Sequence, residues 1–387
     1  MAFVRMLLCF LVLSAGFHAI TSETNPSDVA ALQSFKEKLQ NTPPSWSNGD
    51  DPCGAKWDGV TCSSTRVTSL KLSSKGLVGE LSADIGELTE LTSLDLSFNQ
   101  GLCGSLTPHI GDLQKLETLI LQGCSFTGTL PPELGNLGQL SFLSLRGNNF
   151  TGEIPFSLGN ITKLQWLDLA DNQLTGSIPV STSTSPGLDH LKNAKQLIFS
   201  KNQLSGPIPP ELFSSDMVLT QVMFDKNQFS GEIPSSIGLV QTILTLFLGE
   251  NSLTGRIPSN INNLTNLIAL DMPNNKLSGP LPNLSGMNSL LRVELSNNSF
   301  EESEAPAWFS TLPSLNILNI DNGSLRGSLP PTLFGLPDLA VVSLRNNAFN
   351  GTLFIGSNIN QNILGVDLEN NGISSISIDP VFKSTLK

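Results

Sequence analysis

The chain has no tyrosine among its 387 residues, and aromatic residues make up only 6% of it. Charged residues are also few, at 14%, with 21 Lys and Arg against 33 Asp and Glu. A net charge of −12 with no basic patch argues against nucleic acid or an anionic membrane surface as a partner. There are three histidines; His18 lies in the N-terminal leader, and His109 and His190 stand far apart. No metal-ligand spacing occurs, and no nucleophile stands beside a base, so neither a metal, a cofactor nor catalysis is expected. Beyond the leader, no apolar run reaches the roughly 20 residues a membrane-spanning helix needs.

The chain is instead rich in leucine, asparagine, glycine and proline at fixed spacing. Residues 140–155 read LSFLSLRGNNFTGEIP, a frame of the form LxxLxLxxNxxxGxIP. The frame returns at 164–179, 219–234 and 267–282. With the Asn slot as marker, the series runs Lys75, Asn99, Cys124, Asn148, Asn172, Asn202, Asn227, Asn251, Asn275, Asn298, Gly323, Asn347, Asn371. These 13 registers lie mostly 24 residues apart, with one step of 30 after Asn172. Such a period with these leucines is a leucine-rich repeat, and the expected fold is an α/β solenoid with one strand per coil. In the strand, Leu143 and Leu145 point inward while Phe142, Ser144 and Arg146 face solvent. The Asn amide is suited to bond backbone groups of neighbouring coils, and Gly152 permits a backbone conformation that a side chain would forbid.

Four segments follow. Residues 1–22 read as a secretory signal, with Arg5, an apolar run from Met6 to Phe17 and small residues before the cut. Residues 23–66 form an N-terminal cap, with a helix starting at Asn25-Pro26-Ser27-Asp28 and an apolar series Val29, Leu32, Phe35, Leu39. Residues 67–379 carry the repeats. Residues 380–387 are a short tail with neither a cysteine pair nor a capping helix, as expected of a fragment or a truncated product.

Once Cys9 leaves with the signal, four cysteines remain. Cys53 and Cys62 flank the cap sequence and are the expected disulfide of a secreted chain. Cys103 and Cys124, from adjacent coils about 5 Å apart, are expected to form a second bridge, with two free thiols as the alternative. Sequons stand at Asn149, Asn160, Asn263, Asn283, Asn297, Asn322 and Asn350, and glycans at several are expected. The extra residues Val180 to Leu191 lengthen one coil's outer loop.

On the motifs DPCGAKWDGVTC (51–62), NQGLCGSL (99–106), LILQGCSFTG (119–128), SPGLDHL (185–191), PPELFSS (209–215) and NNLTNL (262–267), the chain resembles the ectodomains of plant leucine-rich-repeat receptor kinases. Within them it is most similar to the subfamily that includes the hydrogen-peroxide-sensing receptor. The resemblance implies a cell-surface or secretory location, a serine/threonine kinase in a longer parent, and a peptide, carbohydrate or protein ligand with a co-receptor. Attachment to a membrane would come only through a segment outside these residues. No kinase motif occurs in the sequence itself.

Binding is expected on the exposed face of the strands. The columns six and four before each Asn slot place Ile120, Phe142, Trp166, Ile198, Met223 and Phe247 as an apolar strip across coils three to eight, with Asp168 beside it. The four aspartates Asp95, Asp168, Asp271 and Asp367 read as a solvated acidic column. Glycans at Asn297 and Asn322 would screen the C-terminal part of this face and leave coils three to eight open. The second reading is a secreted inhibitor of a pathogen enzyme, similar to the polygalacturonase-inhibiting proteins, which share the repeat.

Overall fold

The computed structural model describes residues 23–356 and 359–378. The signal 1–22 and the tail 380–387 lie outside the described residues.

The cap begins with helix α1, Pro26–Lys38, where the Asn25 side chain accepts the Ser27 N–H and Pro26 starts the first turn. Its inner face is Asp28, Ala31, Leu32 and Phe35; Val29 and Leu39 are only half-buried. Asp28 is fully buried and accepts from Arg66 at 2.9 Å and from the Val67 N–H at 2.7 Å, which ties the helix to the first coil. Trp46 and Trp57 stack at 4.7 Å between ring centroids and close the end of the core. Their indole N–H groups donate to the carbonyls of Asp58 and Gly49, so neither is buried without a partner. The Cys53–Cys62 disulfide is formed.

Thirteen parallel strands, one per register, follow an antiparallel first strand Val60–Ser63 in a continuous 14-stranded sheet. The register is in phase throughout. Trp166 lies opposite Phe142 on one side and Gln196 on the other. Inward leucines such as Leu143, Leu145, Leu167 and Leu169 have no exposed surface, and they join the single core that runs from cap to last coils. No coil could bury them alone.

The Asn slot behaves as its chemistry dictates. The Asn202 amide donates to Leu169 O of the preceding coil at 2.9 Å and to Phe199 O of its own coil at 3.1 Å, and it accepts the Leu174 N–H at 3.0 Å. The same pattern recurs at Asn99, Asn148, Asn227 and Asn275. A buried turn is thus satisfied by one side chain per coil.

The structure adds two features to the expected coil. The stretch after the Asn slot forms its own parallel strand, such as Asn149–Glu153, giving lateral sheets of nine and four strands. Inward Phe150 and Leu174 hold this half of the coil to the core. At Gly152, φ is +76°, and a Cβ would stand 2.8 Å from Thr129 Cγ2, so glycine is required there. Next, Pro155 leads into a short 3-10 helix, Phe156–Asn160, on the outer side. The second feature is the residue before each Asn slot, which is left-handed in every coil from Ser74 to Asn370. It turns the chain out of the inner strand.

The expected Cys103–Cys124 bridge does not form; both are free thiols. Cys103 lies opposite Ser125 in the lateral sheet, and it follows Leu102, which points into the core. Strand alternation therefore turns Cys103 outward, whereas Cys124 faces inward at 7% exposure. Two side chains on opposite faces cannot bridge, however close their backbones. Cys124 instead does part of the Asn's work, donating its thiol to Leu96 O at 3.2 Å. Burial pushes that thiol up to about 11, away from the reactive thiolate.

Candidate functional site: the concave sheet

Residues six, four and two before each Asn slot alternate outward on the 14-stranded sheet and form three columns across the coils. Of the third column only Arg146 was read outward from the sequence, although the alternation that gave the first two extends along all of it. It contributes Arg146, Ser200, Asp225, Ser296, Asp321 and Arg345.

Coils three to eight carry the apolar strip. Phe142 and Trp166 stack at 5.0 Å between centroids with 25° between planes, an offset pair running across two coils. Ile120, Phe142, Trp166, Met223 and Phe247 are all half-buried, because each is flanked by its neighbours in the column. Ile198 differs from the expectation. At 5% exposure it is part of the floor and offers little surface of its own.

Asp168 also departs from the expected solvated column. It is 4% exposed, between buried Ser144 on one side and Ile198 on the other. One carboxylate oxygen accepts the Ala170 N–H at 3.0 Å, the same local bond that Asp95, Glu294 and Asp367 make two residues on. Its other oxygen meets no donor among the described residues, and no cation there lies within ion-pair distance. Arg146 acts on it only from farther off, and burial dominates, raising the carboxyl above its ordinary value. Diagonally across the sheet, the buried Oε1 of Gln196 also has no donor among the described residues. Trp166 thus stands beside two unmatched acceptors.

From coil seven onward the same face turns acidic. A depression of about 450 Å³ is lined by five carboxylates, those of Asp225, Glu250, Asp271, Glu294 and Asp321, against Lys226 and Arg292. Lys226 pairs with Glu250 at 3.1 Å, and Arg292 reaches Asp271 at 3.0 Å and Glu294 at 3.8 Å. Burial is the first cause raising the Asp271 carboxyl; the Arg292 guanidinium works against it. Asn297 borders this depression, and its amide donates to Asn274 at 2.8 Å while its oxygen accepts from Asn322.

All seven sequon asparagines are exposed. His109 pairs with Asp112 at 2.9 Å on the outer side, and His190 ends a 3-10 helix in the Val180–Leu191 loop. That loop is held to itself by Ser181, which donates to Asp189 through its N–H at 2.7 Å and its hydroxyl at 2.8 Å. Among the described residues, no three His, Cys, Asp or Glu gather where a metal could sit, and no helix is long and apolar enough to cross a membrane.

The leucine rich repeat N-terminal domain family matches residues 25–63, and the leucine rich repeat family matches 115–137, 139–161 and 163–184. A probable leucine-rich repeat receptor-like protein kinase of Arabidopsis thaliana is 54% identical over 359 residues, 92% of this chain and 38% of the relative. The chain therefore spans well under half of that relative's length. Among solved structures, PEPR1 with AtPEP1 superposes with a TM-score of 0.72 at 30% identity, over 91% of this chain and 51% of the other. The Arabidopsis receptor kinase HAESA, in complex with the peptide hormone IDA and the co-receptor SERK1, gives 0.64 at 27% identity, over 92% and 70%. By cap, repeat and relatives, the chain is a leucine-rich-repeat solenoid similar to the repeat-bearing ectodomain region of plant leucine-rich-repeat receptor-like kinases.

Proposed function

We propose that this chain recognises an extracellular peptide on the concave face of coils three to eight, on behalf of a longer receptor-kinase parent at the cell surface. The observation that carries the reading is the strip itself. Five half-buried apolar side chains, a stacked aromatic pair among them, share one face with an Asp168 carboxylate oxygen that has no donor among the described residues. That is the make-up of a binding hot spot, whereas the rest of the repeat is spent on its own core. The chain has no chemistry of its own in this reading; binding is its output, and a co-receptor would read the occupied face. Glycans on Asn297 and Asn322 would border the acidic depression and limit the ligand at coil ten. Similarity to HAESA, whose structure holds a peptide hormone and a co-receptor, supports a peptide as the ligand class.

The test is selection of a random octapeptide display library on the secreted, glycosylated chain. Enriched peptides should lose binding to the double variant Phe142→Ala, Trp166→Ala. Peptides that bind that variant as well as the parent would place the ligand elsewhere.

A further inference from the structure

Two features of the concave face, Asp168 in coil five and the acidic depression around Asp271 in coil nine, bound the second half of the apolar strip and sharpen the ligand's chemistry. At one end the Asp168 carboxylate keeps one oxygen unmatched beside Trp166. That oxygen asks for a donor, and a carboxylate flanked by an aromatic face asks for a cationic one. At the other end the depression around Asp271 holds five carboxylates against two cations. Between them Ile198, Met223 and Phe247 make an apolar floor in the same column as both aspartates.

Asp168 and Asp271 stand four strands apart in that column. With neighbouring strands about 4.8 Å apart, the separation along the sheet is about 19 Å. An extended peptide rises about 3.3 Å per residue, so six steps cover about 20 Å. Side chains at alternate positions share one face, so the first, third, fifth and seventh residues of such a peptide would all look at the sheet.

We propose that the concave face takes an extended peptide with cationic side chains six positions apart, one over Asp168 and one over the acidic depression around Asp271, and apolar side chains at the two alternate positions between. This rests on the concave face being the binding surface, and deepens that reading by naming the ligand's charge and spacing. The two ends are not equivalent. The Asp168 end offers one buried carboxylate and an aromatic wall, which suits a single ammonium or guanidinium. At the depression the incoming charge shares its carboxylates with Arg292, so this end should tolerate either Lys or Arg and respond more to salt.

The experiment is calorimetric titration of the secreted, glycosylated chain with an end-blocked octapeptide carrying lysine at the first and seventh positions, leucine at the third and fifth, and serine elsewhere. Replacing both lysines by norleucine should weaken binding at least tenfold, and replacing them by glutamate should abolish it. Moving the second lysine to the fifth position should cost nearly as much as removing it. Asp168→Asn, which keeps the acceptor for Ala170, should weaken the dilysine peptide about tenfold and leave the norleucine peptide unchanged.

Equal binding of the norleucine or glutamate peptide overturns the inference. If Trp166→Ala still weakens those peptides, the concave site stands and only its charge class is wrong. If Trp166→Ala leaves every octapeptide unaffected, the concave reading falls with it. No binding by any octapeptide overturns the inference alone, because the library selection tests the face independently.

Discussion

Leu167 and Asp168 are neighbours in one three-residue strand, Trp166–Asp168, yet they belong to two regions built on opposite rules. Leu167 faces a core in which each coil repeats the last, and its column holds only Leu and Val from Val293 back to Leu70. Asp168 faces the concave side, where its column runs through Lys71, Asp95, Ile120, Ser144, Ile198, Met223 and Phe247, mixing basic, acidic, polar and apolar side chains. Uniformity inside and variety outside separate what the fold demands from what is free for recognition. The Asn ladder belongs with the interior: it is polar but repeats because each turn has the same backbone groups to satisfy.

Breaking the interior rule should cost the most. Asn202→Ala leaves the Leu174 N–H without its acceptor and removes one of two amide donors from each of Leu169 O and Phe199 O, which keep Asn172 and Asn227, so the loss should be about 2 kcal/mol or more in urea unfolding. A loss below 1 kcal/mol would mean that water replaces the ladder and that the Asn slot is less structural than argued. Breaking the concave rule should do the reverse. Trp166→Ala should cost about 2 kcal/mol of binding, roughly thirtyfold, with little change in unfolding midpoint. A large drop in stability with unaltered affinity would move Trp166 to the structural side of the comparison.

Cys124 offers a gain on the interior side. In its slot an Asn could donate to both Leu96 O and Leu121 O, as Asn148 does with Leu121 O and Leu145 O, so Cys124→Asn should stabilise by about 1 kcal/mol. In the unaltered chain, alkylation should label half-exposed Cys103 and spare Cys124 until unfolding. Equal labelling of the two would contradict the inward placement of Cys124.

The smallest effect is in the pH dependence. The Asp168 carboxyl is raised above 3.8 by burial, so the folded chain takes up its proton more readily than the unfolded chain. Its contribution therefore favours folding increasingly as pH falls through the raised value, and levels off below 3.8. Asp51, Asp84 and Asp216 work in the opposite sense, because hydrogen bonds lower them and their stabilisation is lost on acidification. Asp168→Asn should thus raise the melting temperature slightly at pH 7 and remove part of the gain seen on approaching pH 4. A variant that parallels the parent at every pH would show that Asp168 is solvated after all.

The sequence carried the interior almost completely, because periodic leucines and asparagines state their own burial. Thirteen registers became thirteen parallel strands, and Gly152 has the positive φ its position implied. The second strand of each coil was harder to see, since NFTGE has only one core residue, Phe150, to mark it. The left-handed residue was visible in hindsight as Gly123, Gly147 and the run Asn274, Asn297, Asn322, Asn346, Asn370. The concave columns were legible as positions but not as environments. Ile198 and Asp168 look exposed by alternation and are buried by neighbours two coils wide, which depends on side-chain sizes across strands. The Cys103–Cys124 pairing failed for the related reason that distance along the solenoid says nothing about which face a side chain takes.

Footprinting tests the division between the two regions most directly. Of the four tryptophans, Trp46, Trp57 and Trp308 are at most 1% exposed and Trp166 alone is half-buried, so three serve as internal standards for the fourth. Hydroxyl-radical labelling of the chain with and without a library-selected peptide should show Trp166 and Met223 protected by the ligand, with the other tryptophans unchanged. Protection confined to the lateral or outer sides, with Trp166 labelled as before, would contradict the concave face as the site of recognition.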